Sequence, residues 1–173
     1  MRAGTNSKKA TRKFERAVLG EEPQTDVLDT LKEEHDEVKD LLKKLANGAT
    51  AAQRKSILKQ IKEALVPHSR AEEKVVYDAI IALREKSAKQ DGEEGYMEHG
   101  LADKMLATLG KIKDPMSAEF SAGAKVLKEL VEHHIEEEES NVWSDVRKNF
   151  SDEDRYAMNA KFEAAKKTVR IPS

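Results

Sequence analysis

The chain has 173 residues, 31 of them basic and 33 acidic, for a net charge of −2, with charged residues at 37% and aromatics at 5%. That balance gives no electrostatic ground for nucleic-acid binding, and no apolar run approaches the about 18 residues of a membrane span. With no cysteine, disulfides, thiolate zinc sites and iron–sulfur clusters are excluded.

The length suits one domain, and a composition rich in Ala, Leu, Glu and Lys reads as all-α. Residues 1–25 form a basic N-terminal extension, with Arg2, Lys8, Lys9, Arg12, Lys13 and Arg16 against a lone Glu15 before Glu21 and Glu22. Phe14, Val18 and Leu19 fit one side of a short helical turn. Lacking interleaved aromatics, the segment reads as a solvated tail and not as a nucleic-acid arm. It has no apolar stretch of a secretory signal, so a cytoplasmic protein is expected.

Four helical stretches follow, over residues 26–150. The first spans about 26–46 and stops at Asn47-Gly48. Thr50 with Gln53 makes a capping box that opens the second, which reads on to about residue 89 with one interruption at Pro67. Asp91-Gly92 through Gly95 reads as a loop, with the third helix running on to about residue 112. Asp114-Pro115 breaks the chain, and Ser117 caps a fourth helix that reaches about residue 148. Ser151 with Asp154 starts an extra helix in the C-terminal segment 151–173.

Each of the four carries an apolar stripe with a histidine in it. The first has Leu28, Leu31, His35, Val38, Leu42 and Leu45. The second has Ile57, Ile61, Leu65, His68, Glu72, Val76 and Ala79; the third has His99, Ala102, Leu106 and Leu109. The fourth has Phe120, Ala124, Leu127, Val131, His134, Glu138 and Val142. There is also an internal repeat: His68-x-x-x-Glu72-Glu73-x-x-Val76-Tyr77 matches His134-x-x-x-Glu138-Glu139-x-x-Val142-Trp143, and Glu34-His35 echoes Glu98-His99.

Residues four apart share a helix face, with about 5–6 Å between Cβ atoms, so an imidazole and a carboxylate so spaced can converge on one ion. Imidazole suits iron, zinc, copper and manganese, and carboxylates suit harder ions and can bridge two. A carboxylate on an apolar stripe wants a compensating cation. Taken singly, a core histidine is ordinarily a hydrogen-bonded packing residue, and the run Glu136–Glu139 a solvated face. Four stripe histidines, one per helix, with two glutamates in a repeated motif, point to metal instead. His133 falls about 100° around the helix from His134, outside that set. Tyr77 and Trp143 occupy equivalent places and read as core, or as residues that gate access.

This pattern resembles the hemerythrin-like, or HHE cation-binding, family over about residues 26–150. The resemblance implies an up-down-up-down four-helix bundle enclosing a non-haem centre of two iron ions with a bridging oxo or hydroxo group. His35 and His68 would serve one iron, His99 and His134 the other, and Glu72 and Glu138 would bridge. One departure stands out. The oxygen-carrying members have His-x-x-x-His on the third helix, and the first position of that pair here falls at Gly95. Glu94, Glu98, Asp103 or solvent are the candidates to fill it, and plain oxygen carriage is not expected. The expected function is a di-iron protein that binds or reacts with oxygen, peroxide, nitric oxide or an anion, with peroxide or oxygen turnover left open. The alternative is an iron-sensing, redox-sensing or metal-storage module without turnover. Neither nucleic acid nor membrane is an expected partner.

Overall fold

The computed structural model describes residues 24–171, and among these the ordered structure is all helical. The basic N-terminal stretch, with the turn expected around Phe14, Val18 and Leu19, lies outside the described residues.

Helix α1, Val27–Ala46, starts at Asp26, whose carboxylate accepts the backbone N–H of Leu28. Helix α2 spans 51–81 in three parts: Ala51–Glu72, a π-helical turn Glu73–Tyr77, and Asp78–Ile81. Thr50 caps its start by accepting from the N–H of Gln53, and the Gln53 side chain accepts from Ala49. Pro67 sits inside α2 without ending it. Helix α3 is Lys86–Lys111. Helix α4 spans 118–149 and repeats the build of α2: Ala118–Glu137, a π turn Glu138–Val142, then Trp143–Asn149. Helix α5, Asp152–Lys166, opens on a complete capping box between Ser151 and Asp154.

The expected loop at 91–95 is overturned: the second helix stops at Ile81, and Asp91, Gly92 and Gly95 lie within α3. The glycines are there for close approach. A Cβ on Gly92 would stand 2.7 Å from Ile81 Cγ1, and one on Gly95 would stand 2.5 Å from Tyr77 Cζ. Only glycine lets α3 lie that near α2.

Helix α1 packs on α2 and α4, α3 packs on α2 and α4, and α5 lies along α1 and α2. The buried stripes form two apolar clusters. One holds Val38, Leu42, Leu45, Ile61, Leu65, Leu106, Leu109, Phe120, Leu127 and Val131. The other holds Leu28, Leu31, Val76, Tyr77, Ile80, Val142, Trp143 and Phe162. In sequence, His35 falls between Leu31 of the second cluster and Val38 of the first, and Glu72 between Leu65 and Val76. A polar belt therefore crosses the bundle between two dry ends. No helix among the described residues is long and apolar enough to cross a membrane.

Candidate metal centre

All six sequence-predicted residues lie in that belt. His35, His68, Glu72, His99, His134 and Glu138 are buried. Ligand atoms of His35, His68 and Glu72 lie within 4.8 Å of one another, and so do those of Glu72, His99 and His134, with Glu72 common to both groups. Glu138 reaches both sides: its Oε2 is 3.2 Å from His35 Nε2 and 3.8 Å from His134 Nε2. Glu72 Oε2 is 3.2 Å from His68 Nε2 and 3.7 Å from His99 Nε2.

Each imidazole is turned the same way. Nδ1 of His35 donates to Glu139 (3.2 Å), Nδ1 of His68 to Glu34 (2.8 Å), Nδ1 of His99 to Glu73 (3.1 Å) and Nδ1 of His134 to Glu98 (2.6 Å). The braces form a closed ring around the bundle. Helix α1 braces the histidine of α2, α2 that of α3, α3 that of α4, and α4 that of α1. Three of these glutamates are anchored in turn, Glu34 by Lys166, Glu73 by Arg70, and Glu139 by Lys32 and Lys39. A carboxylate on Nδ1 fixes the proton there, so each neutral imidazole points its Nε2 lone pair inward.

The interior fits a metal. Glu72 is fully buried, yet neither of its carboxylate oxygens has a hydrogen-bond partner, nor do Glu138 Oε2 and His35 Nε2. His99 Nε2 and His134 Nε2 stand 3.1 Å apart in the same buried space. Anionic and lone-pair atoms crowded together and left unpaired in a core are stable only around positive charge.

Protonation follows the same crowding. Burial pushes His68 down, but the Glu72 and Glu34 carboxylates outweigh it and raise it to about 10. Burial also disfavours charge on His134, which Glu98 and Glu138 nevertheless hold above 6.5. His99 falls below 6.5 through burial, against the pull of Glu73. Burial would raise Glu138, yet His35 at 3.2 Å and the charge of His134 hold it well below the usual carboxylate range.

The gap at Gly95 is not open. None of the expected candidates fills it: Glu98 braces His134, Asp103 pairs with Arg70, and Glu94 is exposed. The side chain of Tyr77 does, fully buried, with its hydroxyl 2.8 Å from where a Cβ on Gly95 would be. Its Oη donates to Glu138 Oε1 at 2.8 Å, and burial with the Glu138 and Glu72 charges pushes the phenol well above 10. The π turn explains this reach. Hydrogen bonding from residue i to i+5 widens the helix, so a residue five beyond Glu72 returns toward the face that carries it. Trp143, five beyond Glu138, stacks on His35 at 5.7 Å, and Phe162 of α5 meets the edge of His68 at 5.9 Å. His133 is 62% exposed and pairs with Glu137, outside the belt.

Tyr77 is the core residue the sequence suggests, but the bracing role of the four glutamates and the reach of the Tyr77 hydroxyl into the belt were not read from it. Their signal was the paired Glu-His and Glu-Glu steps and the aromatic of the repeat.

The family model described as the hemerythrin HHE cation binding domain matches residues 26–143. A DNA nickase from a Nostoc species is 26% identical over 144 residues, which is 83% of this chain and 40% of that protein. The chain therefore spans well under half the length of that curated relative. No solved structure matches it.

Proposed function

Because the chain belongs to the hemerythrin HHE cation-binding family, we propose that it is a non-haem di-iron protein that binds or reacts with a small oxidant such as oxygen or peroxide. The observation that carries this reading is the set of inward, partnerless atoms shared between two histidine pairs, with both oxygens of buried Glu72 unsatisfied. His35 with His68 would hold one iron and His99 with His134 the other, and Glu72 and Glu138 are the carboxylates that would serve both. We further read the bundle as up-down-up-down, in keeping with the short connections 47–50, 82–85 and 112–117.

An iron pair, when bound, supplies one-electron steps and a place for a small molecule to attach. The protein's part is positional. The ring of glutamates holds four imidazoles with Nε2 aimed at the centre. Trp143 and Phe162 shield the His35 and His68 rings, and the two apolar clusters keep water from the belt on both sides. The proposed partners are oxygen, peroxide, nitric oxide or an anion, and an iron or redox sensor or store without turnover is the alternative.

Anaerobic reconstitution with ferrous iron, followed by optical spectroscopy on adding oxygen and then peroxide, tests the reading. Uptake of iron with a spectrum that changes on either addition is the expected result. An iron-loaded protein inert to both supports the storage reading, and a chain that takes up no iron contradicts both. The nickase activity belongs to the relative; a plasmid-nicking assay on the loaded chain would reveal it if this chain shared it.

A further inference from the structure

The repeat puts an aromatic residue five positions after each inward glutamate, and the two have diverged in what they do. Trp143 lies flat on His35, with its rings 14° from parallel. Tyr77 brings an oxygen into the belt, and that oxygen keeps close company with the donor atoms of one histidine pair. Its Oη is 2.8 Å from Glu138 Oε1, 3.4 Å from His99 Nε2 and 3.5 Å from His134 Nε2, while those two nitrogens are 3.1 Å apart.

Donor atoms held about 2.1 Å from one ion are separated by about 3.0 Å along an octahedral edge and about 3.4 Å along a tetrahedral one. The four separations scatter closely about those edges. A phenol placed only for packing needs one acceptor and has it in Glu138. Nothing in packing requires it also to face two imidazole nitrogens. Gly95 completes the case, because any side chain there would meet the tyrosine ring, with a Cβ 2.5 Å from Cζ and 2.6 Å from Cε2.

We propose that Tyr77 is itself a metal ligand, its phenol oxygen joining His99 and His134 on the side of the centre where α3 carries Gly95 in place of a histidine. The proposal rests on the two-metal reading above. The bond forms as the phenol proton leaves to water; no electron moves in that step. The centre is then unequal. One side has two histidines and a tyrosine, the other two histidines only.

The test uses the full chain, loaded with iron and oxidised. A phenolate bound to iron(III) gives a charge-transfer band in the visible. Resonance Raman excited in that band should show tyrosine ring vibrations that shift when the protein is made with ring-deuterated tyrosine. The chain has three tyrosines, Tyr77, Tyr96 and Tyr156. Tyr77→Phe keeps the ring that fills the space beside Gly95, so it should fold and lose the band. Tyr96→Phe and Tyr156→Phe should keep it. Iron uptake with no phenolate signature in the parent overturns the proposal and leaves the two-metal reading standing, as does a band that survives Tyr77→Phe. A parent that takes up no iron overturns both. Should Tyr77→Phe fail to fold, the isotope shift in the parent, compared among the Tyr96 and Tyr156 variants, still decides.

Discussion

A buried imidazole has two nitrogens to satisfy, and each histidine of the belt divides them between a carboxylate on Nδ1 and the centre on Nε2. The braces are separate residues from the inward glutamates, so they can be tested separately. Glu34→Gln or Glu98→Gln should weaken metal affinity by about 10–100-fold with helix content unchanged. Exposed Glu136→Gln should change it little; equal losses from Glu98→Gln and Glu136→Gln would contradict the ring of braces. Proton competition gives a second expectation. His68 is raised from its ordinary 6.5 to about 10 in the metal-free protein. Its protonated form therefore contributes stability fully below 6.5, and that contribution is lost as pH rises through about 10. A metal must displace that proton, so ferrous affinity should rise toward alkaline pH by up to about tenfold per unit while His68 titrates. Titrations giving the same affinity at both ends of that range would contradict it. The six inward residues were legible in the sequence because period and residue type agree at every one. The braces were not, since whether Glu98 serves a metal or a histidine depends on which helix lies beside it.

Helix α2 and α4 each change hydrogen-bond register directly after their inward glutamate, at Glu73–Tyr77 and Glu138–Val142. Such a turn leaves only a slip of phase in the sequence: Val76 and Tyr77, four and five beyond Glu72, are both buried. The repeat made the equivalence of Tyr77 and Trp143 legible, but a strict 3.6-residue period could not show how Tyr77 reaches the belt. Gly92 and Gly95 misled for a related reason. Glycine marks a turn and a close approach alike, and only the neighbour tells which. The distinction is measurable along one helix. Gly95→Ala must push against the Tyr77 ring and should cost about 1–3 kcal/mol. Gly100→Ala meets nothing within 4 Å and should stabilise by about 0.5–1 kcal/mol. Chemical denaturation of both variants gives the comparison, and equal effects would contradict the close packing of α2 on α3.

The whole molecule places a charged, partly unsatisfied belt between two apolar clusters, with α5 fastened over one flank by Arg155 on Asp26 at 2.8 Å and by Lys166 on Glu34. The leucine-rich ends should hold the helices together without metal, while the belt supplies the cost. Chelation should lower the melting temperature and leave most of the helical signal; at a ligand concentration one hundred times the dissociation constant, binding contributes about 2.7 kcal/mol. Identical melting curves with and without chelator would make the belt a purely structural one. The two-metal claim itself is tested most directly by the iron content of reconstituted protein, measured by elemental analysis for the parent, Glu72→Ala and Glu136→Ala side by side. A carboxylate shared by both ions should be needed for both, so about two irons are expected in the parent and in Glu136→Ala, and most of both lost from Glu72→Ala. A parent that stops at about one iron, or a Glu72→Ala protein as full as Glu136→Ala, would contradict it.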